Sequence, residues 1–334
     1  MTRDLIELLC CPGCRGELTL HTGDPTVPHV STGELACRSC NTRYPVRGGI
    51  PRFVPRDNYS SSFGFQWNRF RRTQLDSHTG QPISRERFFR QSGWTAAEMH
   101  GKLVLDIGCG AGRFSEIALS TGARLVSLDY SEAVDACLAN LGPDERLNVI
   151  QGDVYNLPFR PGIFDFIYCF GVLQHTPDVA RAFASLPPPL RPGGRLAVDL
   201  YPQLPGNVLW PKYWLRPVTR RVPPERLFPI VERMVDVLWP ISLGVGRLPV
   251  VGRKLRYVIP VVNYEGRLPL SAMQLKEWAV LDTFDMLSPK YDQPQRASTL
   301  RAWFEAAGFE AIQAFRDGLV VGRGRLPLAD TRPS

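Results

Sequence analysis

Lys102-Leu-Val-Leu-Asp106-Ile-Gly108-Cys-Gly110-Ala-Gly112-Arg-Phe114 is the stretch on which the reading of this chain turns. An apolar run ends in a carboxylate, a glycine-rich turn follows, and an amphipathic pattern continues through Ser120. That order reads as a buried strand, a loop and a helix, the layout of a strand–loop–helix ligand site. The glycines are spaced G-x-G-x-G, whereas a dinucleotide fingerprint wants its third glycine where Arg113 stands. A pyrophosphate site is therefore disfavoured, and Asp106 at the strand end would repel phosphate.

The same carboxylate attracts a cationic amino-acid group such as that of S-adenosylmethionine. The next elements agree. Ala123-Arg-Leu-Val-Ser-Leu-Asp129 is a second strand ending in an acid, and a carboxylate is a bidentate acceptor for the two hydroxyls of a ribose. A helix is expected over 132–141. Leu147-Asn-Val-Ile-Gln-Gly-Asp153-Val154 is a third strand whose terminal Asp153, with Val154, is placed for an adenine. A fourth strand and loop run over 164–175, and Arg191-Pro-Gly-Gly194 is a turn feeding a fifth strand that ends at Tyr201.

With these motifs the sequence resembles the class I S-adenosylmethionine-dependent methyltransferases over 101–201, and again over 298–324. The resemblance implies an α/β, Rossmann-like fold with a seven-stranded mixed sheet. A last helix is expected over 298–308 and a closing antiparallel pair over 310–316 and 319–324. It also implies S-adenosylmethionine as cofactor, held by Asp106, Gly108, Gly110, Gly112, Asp129, Asp153 and Val154. His175, in Leu173-Gln-His-Thr-Pro-Asp178, stands where family members often face the acceptor. An imidazole titrates near neutral pH, as a general base must. The alternative is a histidine that caps the following helix or packs beside the cofactor.

Cys11 and Cys14 form one Cys-x-x-Cys and Cys37 and Cys40 another, at a separation that lets two knuckles close on one tetrahedral zinc. Arg15-Gly16 and Asn41 supply tight turns. Four thiolates leave no open position for water, so the metal is expected to be structural. Two reduced thiol pairs, or a redox pair, are the competing reading. The stretch 5–55 resembles the small zinc-ribbon proteins that act as methyltransferase activator subunits, here joined to a partner. Cys109, Cys137 and Cys169 are scattered and read as core thiols.

The 334 residues, 44% hydrophobic and 22% charged, describe an ordinary globular chain of about two domains. We divide it into a zinc ribbon (1–57), a helical cap or linker (58–100), a methyltransferase core (101–203), a lid insertion (204–292) and a C-terminal part of the core (293–334). Without a secretory leader pattern at Met1-Thr2-Arg3-Asp4, a cytoplasmic location is expected. No stretch is apolar enough to read as a transmembrane span.

In the cap, Phe63 and Trp67 are candidates to fold over the cofactor, although ordinary core packing would also use such rings. The interval 202–291 is too long for a simple connection and reads as a lid enclosing an acceptor, with Tyr201, Tyr291 and Asp292 as acceptor-site candidates. The formal charge of +8 is concentrated there. Over 212–256, ten basic residues face three acidic ones. A solvated lid, a patch for anionic lipid and a polyanion groove are the three readings of that excess. Prolines at 205, 211, 217, 223, 224, 229 and 240 are expected to break any long amphipathic helix.

The leading reading is O-methylation of a small-molecule, sugar or lipid-linked glycan hydroxyl. A second is methylation of an RNA base with the ribbon recognising substrate. Against part of that class, the Asn/Asp-Pro-Pro-aromatic quartet of nitrogen-directed enzymes is absent where Phe170-Gly-Val-Leu stands. A third is a non-catalytic scaffold that binds cofactor only for stability.

Overall fold

The computed structural model describes residues 1–23, 28–55, 58–206, 210–248 and 252–328. Four short strands, β1 (Leu18–His21), β2 (Gly33–Cys37), β3 (Arg43–Arg47) and β4 (Ile50–Pro51), pair antiparallel in chain order. Seven more form the central sheet: β5 (Leu103–Ile107), β6 (Arg124–Asp129), β7 (Leu147–Gln151), β8 (Phe164–Phe170), β9 (Leu190–Leu200), β10 (Glu310–Asp317) and β11 (Leu319–Arg325). Their order is β10-β11-β9-β8-β5-β6-β7. The five strands from β9 to β7 run parallel, and β11 and β10 reverse direction. This is the mixed α/β sheet expected. The Arg191-Pro-Gly-Gly194 turn lies within β9, at its irregular start.

Strand residues alternate between two cores, as the period of two requires. Leu105, Val126, Ile150, Ile167 and Val198 face one cluster, while Val104, Leu125, Val149, Phe166 and Ala197 face the other. A parallel sheet must be covered on both faces. On the second face the helices Ile83–Ser92, Arg113–Ser120 and Ala133–Leu141 do this through Phe88, Phe114, Ile117 and Val134.

The first face is covered by helices Val179–Ala184 and Ala297–Ala306 toward β8, β9 and β11, and differently over β5 to β7. The connection from β7 to β8 carries only the 3-10 turn Val154–Asn156, and the four-stranded module takes the place a helix would fill. Its Leu5, Leu9, Leu35 and Val46 share one core with Leu105, Val126, Leu128 and Ile150. The backbone joins in. The Cys10 N–H donates to Pro158 O at 3.0 Å, the Arg160 N–H to Leu8 O at 2.9 Å, and the Phe53 N–H to Gln151 O at 2.8 Å. Arg52 pairs with Asp135 at 2.6 Å and donates to Gln151 Oε1 at 2.9 Å, closing the β7 edge.

The cap and the insertion form one further unit. Helices Ser61–Arg69, Pro224–Gly246 and Ala272–Leu287 bury Phe65, Phe228 and Phe284 together, with ring centroids 5.8–5.9 Å apart. The 23-residue helix Pro224–Gly246 corrects the expectation that prolines would break it, since Pro229 and Pro240 lie inside. Both are exposed, so the carbonyls they leave unbonded reach water. Pro217 likewise sits within Pro211–Thr219. No described helix is long and apolar enough to cross a membrane.

Asp106 is a carboxylate inside this core, 2% exposed, accepting from the Ser115 hydroxyl at 2.6 Å. Burial pushes its pKa up to about 7, against the lowering influence of Ser115 and Tyr168. The native state thus holds a proton that the unfolded chain releases near pH 4, as an ordinary aspartate does. Its contribution to stability is full below that pH and is lost as pH rises to about 7. Urea titrations between pH 4 and 8 should show Asp106→Asn flattening this fall, and an unchanged slope would contradict the assignment. At the module boundary, Leu9 is fully buried. Leu9→Ala should lower the unfolding free energy by about 2–5 kcal/mol. Unfolding should remain one cooperative transition, since both modules share the core; a separate early melt of the module alone would contradict the shared core.

Candidate functional site

The loop after β5 is bent by three glycines at positive φ, Gly108 (81°), Gly110 (52°) and Gly112 (93°), where side-chained residues would be strained. Gly108 has a second constraint: a Cβ there would lie 2.2 Å from Val172 Cγ2. The loop is tied to β6, because the Gly110 N–H donates to Asp129 Oδ2 at 2.9 Å. The Ser131 N–H and hydroxyl donate to Oδ1 at 2.8 and 2.7 Å. Burial raises the Asp129 pKa, opposed by those hydrogen bonds. A carboxylate offers about four acceptor positions. A ribose diol would therefore add to, or replace, the Ser131 hydroxyl.

Asp106 lies beneath the loop, turned to Ser115. Asp153 caps the Val154–Asn156 turn by accepting from the Tyr155 N–H at 2.9 Å, and Val154 is packed into the core beside it. Trp67 covers the loop from above, its Nε1 3.3 Å from where a Gly110 Cβ would stand.

His175 is 7% exposed and enclosed by aromatic rings: Phe63 at 5.1 Å and Tyr201 at 5.4 Å between centroids. Its Nδ1 lies 3.0 Å from the Tyr291 carbonyl oxygen. A carbonyl only accepts, so Nδ1 carries the hydrogen of this bond and Nε2 is the ring nitrogen that it leaves unengaged. The Tyr201 hydroxyl donates to Asp285 Oδ2 at 3.2 Å, and Gln66 Nε2 donates to the other oxygen at 3.3 Å. Asp292 is engaged in an ion pair, with Lys212 Nζ at 3.0 Å and Arg216 Nε at 3.9 Å. Lys212 also stands 5.3 Å from the centre of the Tyr201 ring.

Phe63, Trp67, His175, Tyr201 and Tyr291 thus gather at the carboxyl end of the sheet, near its topological switch between β5 and β8. Sequence reading missed several neighbours. Tyr59 stacks on Tyr130 at 4.8 Å and meets Tyr291 edge-on at 5.6 Å. Burial, then the charge of Asp153, raises the Tyr59 pKa. An aromatic directly after Asp129 was the available signal for Tyr130. Asp285 and Gln66 belong to helices with no motif. Gln174 is fully buried, and neither of its amide atoms has a hydrogen-bond partner among the described residues.

That orphaned amide, in the turn after β8, and the glycine loop tied to an acidic strand end suit a polar cofactor such as S-adenosylmethionine. The cysteines suit zinc. The Sγ atoms of Cys11, Cys14, Cys37 and Cys40 lie within 4.8 Å of one another, with Cys11–Cys40 at 3.7 Å and Cys14–Cys37 at 3.4 Å. Bonds of about 2.3 Å in a tetrahedron separate sulfurs by about 3.8 Å.

Residues 105–198 match the family described as "Methyltransferase domain", and residues 2–49 match "Trm112p-like protein". The demethylmenaquinone methyltransferase of Thermobifida fusca is 33% identical over 131 residues, 37% of this chain and 54% of that protein. The ubiquinone biosynthesis O-methyltransferase of Coxiella burnetii is 34% identical over 100 residues, 29% of this chain and 43% of that protein. The chain therefore spans about half the length of the curated relatives it matches. Among solved structures, a complex of the Haloferax volcanii Trm112 methyltransferase activator with a methyltransferase aligns at TM-score 0.46 and 14% identity, over 79% of this chain and 97% of that one. Human N-acetylserotonin methyltransferase with bound S-adenosylmethionine aligns at 0.44 and 15%, over 82% and 60%. By its two domain matches and its four-cysteine cluster, the chain joins a Trm112p-like N-terminal domain, with four cysteines placed for a metal, to a methyltransferase domain of Rossmann-like fold in one polypeptide.

Proposed function

We propose that the protein methylates a hydroxyl of a small molecule, with His175 as general base. The observation that carries this reading is the bond between Nδ1 and the Tyr291 carbonyl, which fixes the tautomer with Nε2 ready to take a proton. S-adenosylmethionine, when bound, supplies an electrophilic methyl group on a sulfonium sulfur. The chain's own residues hold and align. In this reading Gly108, Gly110 and Gly112 give close backbone approach, Asp129 takes the ribose hydroxyls, and Asp153 with Val154 borders the adenine. Asp106 supports the loop from below through Ser115. Phe63 and Trp67 exclude water, and Tyr201 and Tyr291, with Asp292 behind them, border the acceptor.

The relative named as a ubiquinone biosynthesis O-methyltransferase supports a ring hydroxyl as the first acceptor class to test, ahead of a sugar or a lipid-linked glycan. The domain boundaries given above are retained: the ribbon, the cap with the insertion, and the core each have their own elements. A cytoplasmic location is supported by eight unpaired cysteines, four of them placed for metal.

Two variants test the assignments. Asp129→Ala should weaken S-adenosylhomocysteine binding in calorimetry by about 10- to 100-fold, the worth of hydrogen bonds to a charged acceptor. Unchanged affinity would remove Asp129 from the ribose site. With methyl-labelled cofactor and hydroxylated aromatic acceptors, His175→Gln should lower transfer by about 10²–10⁴-fold and leave cofactor affinity within about twofold. Undiminished transfer would overturn the base. Label entering only an RNA transcript would replace the hydroxyl reading.

A further inference from the structure

The outer surface of the insertion has the composition of a membrane-docking face. Ten of the eleven large hydrophobic side chains exposed among the described residues fall within 210–273, so the outward apolar area belongs to the insertion and not to the core. On helix Pro224–Gly246 they are ordered. Leu227, Val231, Val235 and Trp239 face the insertion's own core. Ile230, Val237 and Ile241 are 60%, 60% and 51% exposed. At 3.6 residues per turn these three fall within about 40° of one another, a second apolar stripe turned away from the first.

Charge is arranged around that stripe. Arg226 and Arg233 lie within about 60° of its centre. Both are exposed, and neither has an acidic partner among the described residues; the same holds for Arg220 and Arg221 just before the helix. The acids of the helix lie on its far flank and two of them are already paired, Glu232 with Arg69 at 4.0 Å and Asp236 with Lys276 at 2.8 Å. Lys212 and Arg216, by contrast, are turned inward to Asp292. The side chains of Arg253 and Lys254 lie outside the described residues. Exposed aliphatics flanked by unpaired arginines complement a surface that is apolar beneath and negative above, which is the interface of an anionic bilayer. An acidic protein partner would match the arginines but would leave the stripe without a counterpart.

We propose that the insertion docks the protein on anionic lipid, with helix Pro224–Gly246 lying in the plane of the headgroups. Helix Pro224–Gly246 packs by Phe228 on Phe65 of the helix that carries Phe63 and Trp67, so the docked face and the cover of the site are one unit. Docking rests on this surface alone and holds whatever hydroxyl is methylated.

Flotation of the full-length chain with vesicles of phosphatidylcholine alone, and of phosphatidylcholine with phosphatidylglycerol, tests it. The protein should float with the anionic vesicles, stay behind with the neutral ones, and be released by high salt. The triple variant Ile230→Glu, Val237→Glu, Ile241→Glu should lose at least about tenfold in vesicle affinity. So should the pair Arg226→Glu, Arg233→Glu. These positions are exposed, and circular dichroism with S-adenosylhomocysteine calorimetry should read as wild type in both variants. No binding to anionic vesicles by protein that binds S-adenosylhomocysteine overturns the docking and leaves the methyltransferase reading standing. Undiminished flotation of the triple variant also overturns it. A concentration-dependent dimer, seen by light scattering in the wild type and lost in the triple variant, assigns the stripe to a second copy instead and equally overturns it.

Discussion

The burial of the first face of the central sheet, where β5, β6 and β7 meet the ribbon, is the constraint on which the rest depends. Leu105, Val126 and Ile150 cannot be left to water, and the chain between β7 and β8 supplies no helix to shield them. The ribbon does so with Leu5, Leu9, Leu35 and Val46. A module of this size has little core of its own, so its shape depends on its four thiolates being drawn together. A metal held by Cys11, Cys14, Cys37 and Cys40 would therefore act at a distance, keeping β1 to β4 together and their hydrophobic layer pressed on the strands that lead to Asp106, Asp129 and Asp153.

On the opposite side of the site the principle changes from apolar burial to paired polarity. Asp285 holds Tyr201 and Gln66, Asp292 holds Lys212 and Arg216, and Asp199 is bound by Arg87 at 2.6 Å. Asp285 ties the insertion to Tyr201 at the end of β9 and to the cap, Asp292 holds two cations within the insertion, and Asp199 ties β9 to the cap helix Ile83–Ser92. Breaking one by removing a single partner leaves a buried charge uncompensated, which costs more than the pair itself stabilises. The Asp285 contacts, being directional, define where the insertion meets Tyr201 and Gln66 more narrowly than an apolar contact would.

Much of this was legible. The glycines after β5, the acids closing β5 and β6 and the two Cys-x-x-Cys pairs each report a local demand: a backbone bend, an acceptor at a strand end, a tight knuckle. Such demands leave a mark within a few residues. What could not be read was set by distant partners. Nothing near Asp292 announces Lys212, and nothing near Gln66 announces Asp285. Asp106 was legible as an acid at a strand end but not as one enclosed with Ser115. The prolines of Pro224–Gly246 misled because the local cost of a proline inside a helix is here outweighed by the burial of Leu227, Phe228, Val231, Val235 and Trp239, and an exposed freed carbonyl lowers that cost. Pro229 and Pro240 face solvent.

The segment that returns from the insertion to the core is stitched to the turn after β8. The Gln293 N–H donates to Gln174 O, its side chain donates to Thr176 O and Pro177 O, and the Tyr291 carbonyl takes the hydrogen of His175 Nδ1. The imidazole is therefore oriented by the backbone of the segment that leads from the insertion back to the core. Were that segment to lift, the ring would lose the acceptor that fixes its tautomer and would be free to turn over. On the proposed reading, the seating of the insertion and the orientation of the base would then depend on one and the same stretch of backbone.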